Sequence, residues 1–278
     1  VALRHEITPF VKVVGWSALA CLALWNLLVV VSSLVHRSEL PDAFWNGARS
    51  RFSEAEIAAA RSVAPILAVF TLVPAFWALF DQSNSTWVLQ GAQMQAFSLL
   101  GFHIGAEQMQ SLNPLLVMIL VPLLNWGLYP LIESFGLQVT PLRRISVGLL
   151  LTAMSYVVVA WLQQRLEAKE TLSLAWQGVP YVILTTGEVL VSTTGLEFAF
   201  TQAAPSMKST ITSFWLLTIS FGNLFVATIT QLLGGGQGSA SVSSGRFHLY
   251  AGMTAVVALL FIVVAARYRY RDAAPPNG

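Results

Sequence analysis

Glu188 lies midway along Leu174–Phe200, where all but Gln177 and, near the far end, Glu197 of the other residues are apolar, small or hydroxyl-bearing. An ionisable group at the centre of a spanning helix costs about 2.5–3.5 kcal/mol on insertion scales, so its presence points to a functional site. Helical offsets put Thr185, Ser192 and Gly195 on its face. A carboxylate flanked by hydroxyls, beside a residue small enough for close approach, suits the wall of a water-filled cavity. The competing reading is a carboxylate held against a neighbouring helix for packing specificity alone. Desolvation favours a neutral acid and a nearby ammonium favours a carboxylate. The chemistry on offer is therefore uptake and release of a proton, or pairing with a cation.

Other residues of interest carry two readings each. Asp81 follows the apolar run Ala60–Phe80 and either faces water at its end or, because Thr86-Trp87-Val88-Leu89 stays apolar, sits near the outer end of a cavity. Asn113-Pro114 fits an N-cap followed by proline at the first helical position, or a polar group within a site. Trp77 and Trp215 fall inside apolar blocks rather than at their ends, so they line a cavity or pack against lipid. Glu133, Glu197 and Lys208 read as interfacial. The histidines at 5, 36, 103 and 248 are scattered, none with a partner at i+4. No phosphate loop, dinucleotide fingerprint, Cys/His cluster of metal spacing or nucleophile elbow occurs, so neither an enzyme nor a cofactor is expected.

The elements that must hold these groups are membrane helices. Of 278 residues, 55% are hydrophobic and 10% charged, whereas a soluble domain carries about 25% charged residues. About 20 apolar residues cross the hydrocarbon core. Blocks of that length are expected near Pro9–Val35, Ala60–Phe80 (continuing to Leu89), Asn113–Ile132, Ile145–Leu162, Leu174–Phe200, Thr210–Leu233 and Phe247–Ala266. Their continuity excludes barrel strands, which alternate over shorter stretches. The fold class is an all-α membrane protein embedded in the lipid bilayer.

The basic residues alternate between sides. Arg37, Arg49, Arg51, Arg61, Arg143, Arg144, Lys208, Arg267, Arg269 and Arg271 fall on one side, ten against the five of Arg4, Lys12, Arg165, Lys169 and Arg246. The positive-inside rule makes the richer side, with the C-terminus, cytoplasmic. A net charge of +2 gives no reason to expect nucleic acid. Cys21 has no second cysteine to bridge. Ser53 followed by Glu56 forms a capping box opening a helix. Gly91–Leu112 is too long for a tight hairpin and is expected along the outer interface. Gly234–Gly245 has linker composition. Val1 opens the chain without a signal peptide or an initiator methionine, which reads as a fragment.

Three motifs carry a resemblance. Pro74-Ala75-Phe76-Trp77-Ala78-Leu79-Phe80-Asp81-Gln82 resembles the seventh-helix motif of the proton-coupled oligopeptide transporters, a branch of the major facilitator superfamily. Leu112-Asn113-Pro114-Leu115 resembles the start of that family's eighth helix. The stretch Gly187-Glu188-Val189-Leu190-Val191-Ser192-Thr193-Thr194-Gly195-Leu196-Glu197-Phe198 resembles its tenth-helix motif, continued by Pro205-Ser206-Met207-Lys208-Ser209. Residues from about Ala43 to Tyr268 are covered, which corresponds to the C-terminal six-helix half. Residues 1–36 resemble the second of two extra helices that many bacterial members insert between the halves.

The resemblance implies residues 37–59 as a cytoplasmic linker with a short surface helix, 60–268 as the C-terminal bundle and 269–278 as a cytoplasmic tail, in a bacterial inner membrane. It implies that Glu188 meets a peptide's amino terminus and pairs with a lysine of the N-terminal half. It implies that Asn113 contacts the peptide, that Asp81 pairs with a first-helix arginine at an outer gate, and that Trp77, Ser192 and Trp215 line the pocket. Ser83-Asn84-Ser85 and Ile219 depart from the family pattern and bear on side-chain preference.

The expected function is half of a proton-driven symporter for di- and tripeptides, its partners being peptides, protons and the N-terminal six-helix half. The alternatives are a symporter for nitrate or another small solute, and a non-transporting sensor or scaffold. A cavity between two bundles needs both bundles. Residues 1–278 alone are therefore expected to give no uptake in liposomes, which a tracer assay on the purified chain checks.

Overall fold

A computed structural model describes residues 42–233 and 242–270, with isolated helical positions between Val13 and Ser32. Most of the expected first span, with Cys21, His5, His36, Arg4, Lys12 and Arg37, lies outside the described residues, as do residues 234–241 of the expected linker and the tail from Arg271.

The described elements begin with α1 (Asp42–Asn46) and α2 (Glu54–Phe70). They continue with α3 (Pro74–Phe80), α4 (Thr86–Gly91), β1 (Phe97–Leu99), β2 (Phe102–Ile104), α5 (Leu112–Pro122) and α6 (Tyr129–Ser134). The remainder are α7 (Pro141–Glu167), α8 (Gly178–Glu188), α9 (Thr194–Gln202), α10 (Lys208–Leu233) and α11 (Ser244–Arg267). Among the described residues, five helical runs are long and apolar enough to cross a membrane: Gln108–Ser134, Pro141–Glu167, Leu174–Gln202, Pro205–Thr228 and Ser244–Arg267. The pair Glu54–Phe70 and Pro74–Gly91 makes a sixth when read as one broken span.

Local chemistry explains where these runs start and break. The expected capping box is present: Ser53 Oγ accepts from the Glu56 amide, and the Glu56 carboxylate accepts from the Ser53 amide at 2.8 Å. The expected second block divides at Thr71–Val73, because Pro74 brings no amide to a preceding carbonyl and disfavours a helical residue before it. The Thr71 hydroxyl donates to the Leu67 carbonyl at 2.8 Å, occupying an acceptor at the end of α2. Pro141 opens α7 behind an extended Thr140, the position where a missing amide costs nothing.

Gly91–Leu112 contains an antiparallel hairpin, with Leu99 opposite Phe102 and a two-residue turn at Leu100-Gly101. Both turn residues have positive φ, 52° and 84°, the arrangement that matches the twist of paired strands. The segment before the hairpin is tied to the start of the Leu174 run. Gln95 donates its amide to the Leu172 carbonyl and accepts from the Leu174 amide, both at 2.8 Å.

The described chain forms two compact units. One gathers α1, α2, α9, α10 and the end of α11; the other gathers α3 to α8 and the start of α11. In the first, Phe70 meets Trp215 edge-on at 5.1 Å, the Ala204 amide donates to Ser62 Oγ, and Arg61 pairs with Asp42 at 2.7 Å while lying over Trp45. In the second, a glutamine cluster joins three spans. Gln90 Nε2 donates to the Val159 carbonyl at 3.0 Å and to Gln163 Oε1 at 3.1 Å. Gln177 Nε2 donates to the Trp87 carbonyl and to Gln90 Oε1.

Gln90 and Gln177 are fully buried, and interhelical bonds of this kind contribute on the order of 1 kcal/mol each in membrane proteins. Gln90→Leu strands the groups it serves on Gln163, Gln177 and Val159. Its expected cost is about 1–2 kcal/mol, read as a lowered thermal unfolding midpoint of the full-length protein in detergent.

Candidate functional site

The site grows from the point where α8 ends. Glu188 is its last residue, and the helix continues through a widened π turn, Val189–Thr193, into α9. Such turns disturb the regular ladder and leave carbonyls in need of donors. Two hydroxyls supply them: Ser192 Oγ donates to the Glu188 carbonyl at 2.8 Å and Thr193 Oγ1 to the Val189 carbonyl at 2.6 Å. Ser192 thus hydrogen-bonds the main chain of Glu188.

Across from it, a turn at Gln108–Ser111 leads into α5, so Asn113 is the second residue of the helix and not its cap. The N-cap reading is therefore corrected: the preceding turn already starts the helix, and the Asn113 side chain is left to reach sideways. Asn113 Nδ2 donates to Glu188 Oε2 at 2.6 Å and to Thr185 Oγ1 at 3.1 Å. Pro114, the third residue of α5, brings no amide of its own to the ladder. Glu188 and Asn113 are both half-buried. A carboxylate held by an amide donor, and reachable from outside, can take up a proton or meet a cation.

Backbone contact fixes the glutamate's helix against its neighbour. Gly148 on α7 and Gly187 on α8 meet main chain to main chain. A Cβ at Gly187 would stand 2.8 Å from the Gly148 carbonyl oxygen and 2.9 Å from Thr152 Oγ1. Any side chain there separates the helices just beside Glu188. The sequence reading missed this pair, whose signal was two glycines on spans that follow one another.

The remaining candidates fall elsewhere. Asp81, half-buried, opens the turn Asp81–Asn84 between α3 and α4. Since α4 runs on to Gly91, Asp81 is interior to the broken span rather than at its end. Trp77 is buried on α3, edge-on to Phe76 and Phe80. Trp215 belongs to the other compact unit. Its ring lies against Gly195, where even a Cβ would clash with it. Gly195 therefore makes room for an indole.

A membrane protein of several helical crossings, carrying one carboxylate bridged to a neighbouring span, is the class that these features define. Residues 30–244 match the family model described as the POT family. The chain belongs to the POT family, whose members are transporters and not enzymes. Over 136 residues it is 38% identical to solute carrier family 15 member 1 of Oryctolagus cuniculus, covering 48% of this chain and 19% of that protein. Over 218 residues it is 26% identical to the probable peptide transporter ptr2 of Schizosaccharomyces pombe, covering 73% of this chain and 33% of that protein.

Among solved structures, an auto-inhibited POT family peptide transporter matches with TM-score 0.76 and 34% identity, over 99% of this chain and 55% of that one. The POT family transporter PepTSo matches with TM-score 0.71 and 34% identity, over 96% and 55%. The chain thus spans about half the length of these structures, and a third or less of the curated relatives.

Gly187→Ala is expected to destabilise the full-length protein by about 1–3 kcal/mol, the usual cost of overpacking a tight contact. Gly252→Ala, where an added Cβ meets nothing within 4 Å, serves as the control. Thermal unfolding of both variants in detergent checks the contrast.

Proposed function

We propose that these residues form the C-terminal half of a proton-driven symporter that imports di- and tripeptides by alternating access. The observation that carries the reading is the Asn113–Glu188 hydrogen bond, which joins two spans at a half-buried carboxylate. Family membership supports transport, and the peptide transporters among its relatives support peptides as cargo. On this reading residues 60–268 are one bundle and 1–36 an additional membrane helix. Residues 37–59 and 269–278 are cytoplasmic, in a bacterial inner membrane. The second six-helix bundle is the structural partner.

The proposed cycle turns on which partner Glu188 holds. A peptide ammonium, a lysine of the other bundle, or a proton each satisfies the carboxylate, and only one does so at a time. Asn113 steadies the carboxylate between occupants, and its amide can turn to a peptide carbonyl by releasing Thr185 as the ammonium arrives. Each occupant favours a different arrangement of the bundles, and rocking between arrangements moves cargo across. Asp81 is the proposed gate residue, pairing with a first-helix arginine. Trp77 and Ser192 are proposed for the peptide's side-chain pocket. Trp215 is proposed for it on the resemblance alone.

Glu188→Gln keeps the side chain's size but neither titrates nor neutralises an ammonium. In the full-length protein in liposomes, uptake driven by a pH gradient is expected to fail. Peptide affinity should fall by about 1.5–3 kcal/mol, the size of a hydrogen bond to a charged group. Wild-type values for both would remove Glu188 from the mechanism. Asp81→Asn tests the gate: unimpaired gradient-driven uptake would sink that role. Failure to take up any di- or tripeptide, with robust uptake of another small solute, would overturn the cargo assignment.

A further inference from the structure

The turn that carries Asp81 breaks a membrane span, and its main chain needs hydrogen-bond donors there. The chain passes from α3 through the tighter turn Asp81–Asn84 to Ser85, whose φ of −133° and ψ of −80° take it out of helix before α4. Three carbonyls of this stretch accept side-chain hydroxyls. Thr86 Oγ1 donates to the Gln82 carbonyl at 3.3 Å from within the segment. The other two donors come from different spans. Tyr156 of α7 donates to the Leu79 carbonyl at 2.6 Å, and Tyr181 of α8 donates to the Ser83 carbonyl at 3.4 Å.

These two carbonyls lie two residues before and two residues after Asp81. Both tyrosines are buried, at 0% and 1% exposure. Trp87, just past the break, packs against both rings, with centroids 5.5 Å from Tyr156 and 5.0 Å from Tyr181. Each bond therefore has a fixed ring behind it. Tyr181 also stands seven residues before Glu188, two turns along the same helix and on the same face as Thr185.

We infer that Tyr156 and Tyr181 are positioning residues: their hydroxyls clamp the main chain on either side of Asp81 and set where its carboxylate stands. The inference rests on the proposed gate role of Asp81 for its functional consequence, but not for the clamp itself. Burial makes the hydroxyls count, since the freed carbonyls have no water to turn to. Because Tyr181 shares α8 with Glu188, a shift of that helix pulls on the turn bearing Asp81. The helix is thus a mechanical link between the two carboxylates.

Tyr156→Phe and Tyr181→Phe remove the hydroxyls and leave the rings. In the full-length protein, deuterium uptake at the amides of residues 81–86 should quicken on the order of fivefold in each variant, the scale of one lost hydrogen bond. Gradient-driven uptake should fall by a similar factor, and adding either change to Asp81→Asn should alter uptake less than twofold. Exchange at wild-type rates in both variants would overturn the clamp. Faster exchange with the same loss of uptake in both backgrounds would overturn positioning and leave the hydroxyls a structural role. If Asp81→Asn alone transports normally, the gate reading fails, while the exchange rates still judge the clamp.

Discussion

A hydrocarbon solvent offers no hydrogen bonds, so each main-chain group freed within a span must find a donor or acceptor in the protein. The irregular points of this chain follow from that constraint. Where α2 stops short of Pro74, Thr71 turns back to the Leu67 carbonyl. Where the span widens after Glu188, Ser192 and Thr193 do the same for the π turn. Where it breaks at Asp81, hydroxyls arrive from the same segment and from two other helices. The same kind of bond also occurs along the regular helix α7, where Ser146 and Thr152 donate to carbonyls four residues back.

The breaks are also where the ionisable groups lie. Glu188 adjoins a π turn and Asp81 opens a tight one. A regular helix spaces its side chains evenly and uses all its interior main-chain bonds internally, which leaves little freedom to aim one group. An irregular turn gives that freedom, and the hydroxyls that complete it make the new geometry definite. In the second compact unit the glutamine cluster binds the spans that hold both turns, so the polar positions sit within a firmly joined set of helices.

The fold was legible because its driving force is compositional. Long apolar blocks specify membrane helices directly, and six of the seven expected blocks correspond to described spans, one of them broken. Ser53 and Glu56 were readable because a capping box is local chemistry. The hairpin was obscured because Leu99, Leu100 and Phe102 are as apolar as any span, and only Gly101 signalled a two-residue turn. Of the candidate site, Glu188 was conspicuous as a charge among apolar neighbours. The role of Asn113 was masked by an equally good local explanation in Asn-Pro. The Gly148–Gly187 contact and the tyrosine bonds depend on residues more than 35 positions apart, and no local spacing reports them.

The Gly148–Gly187 crossing bears on how force travels. Most helix pairs are separated by a layer of side chains, whose rotamers act as a compliant cushion and absorb small displacements. Here there is no cushion, since the carbonyl of one glycine occupies the place of the other's missing methyl. Stiffness at this point is that of the main chain itself. Any movement of α8 toward α7 at this point meets main chain directly, one residue from the carboxylate. The crossing thus stops closer approach of the two rods and leaves no space between them for any side chain.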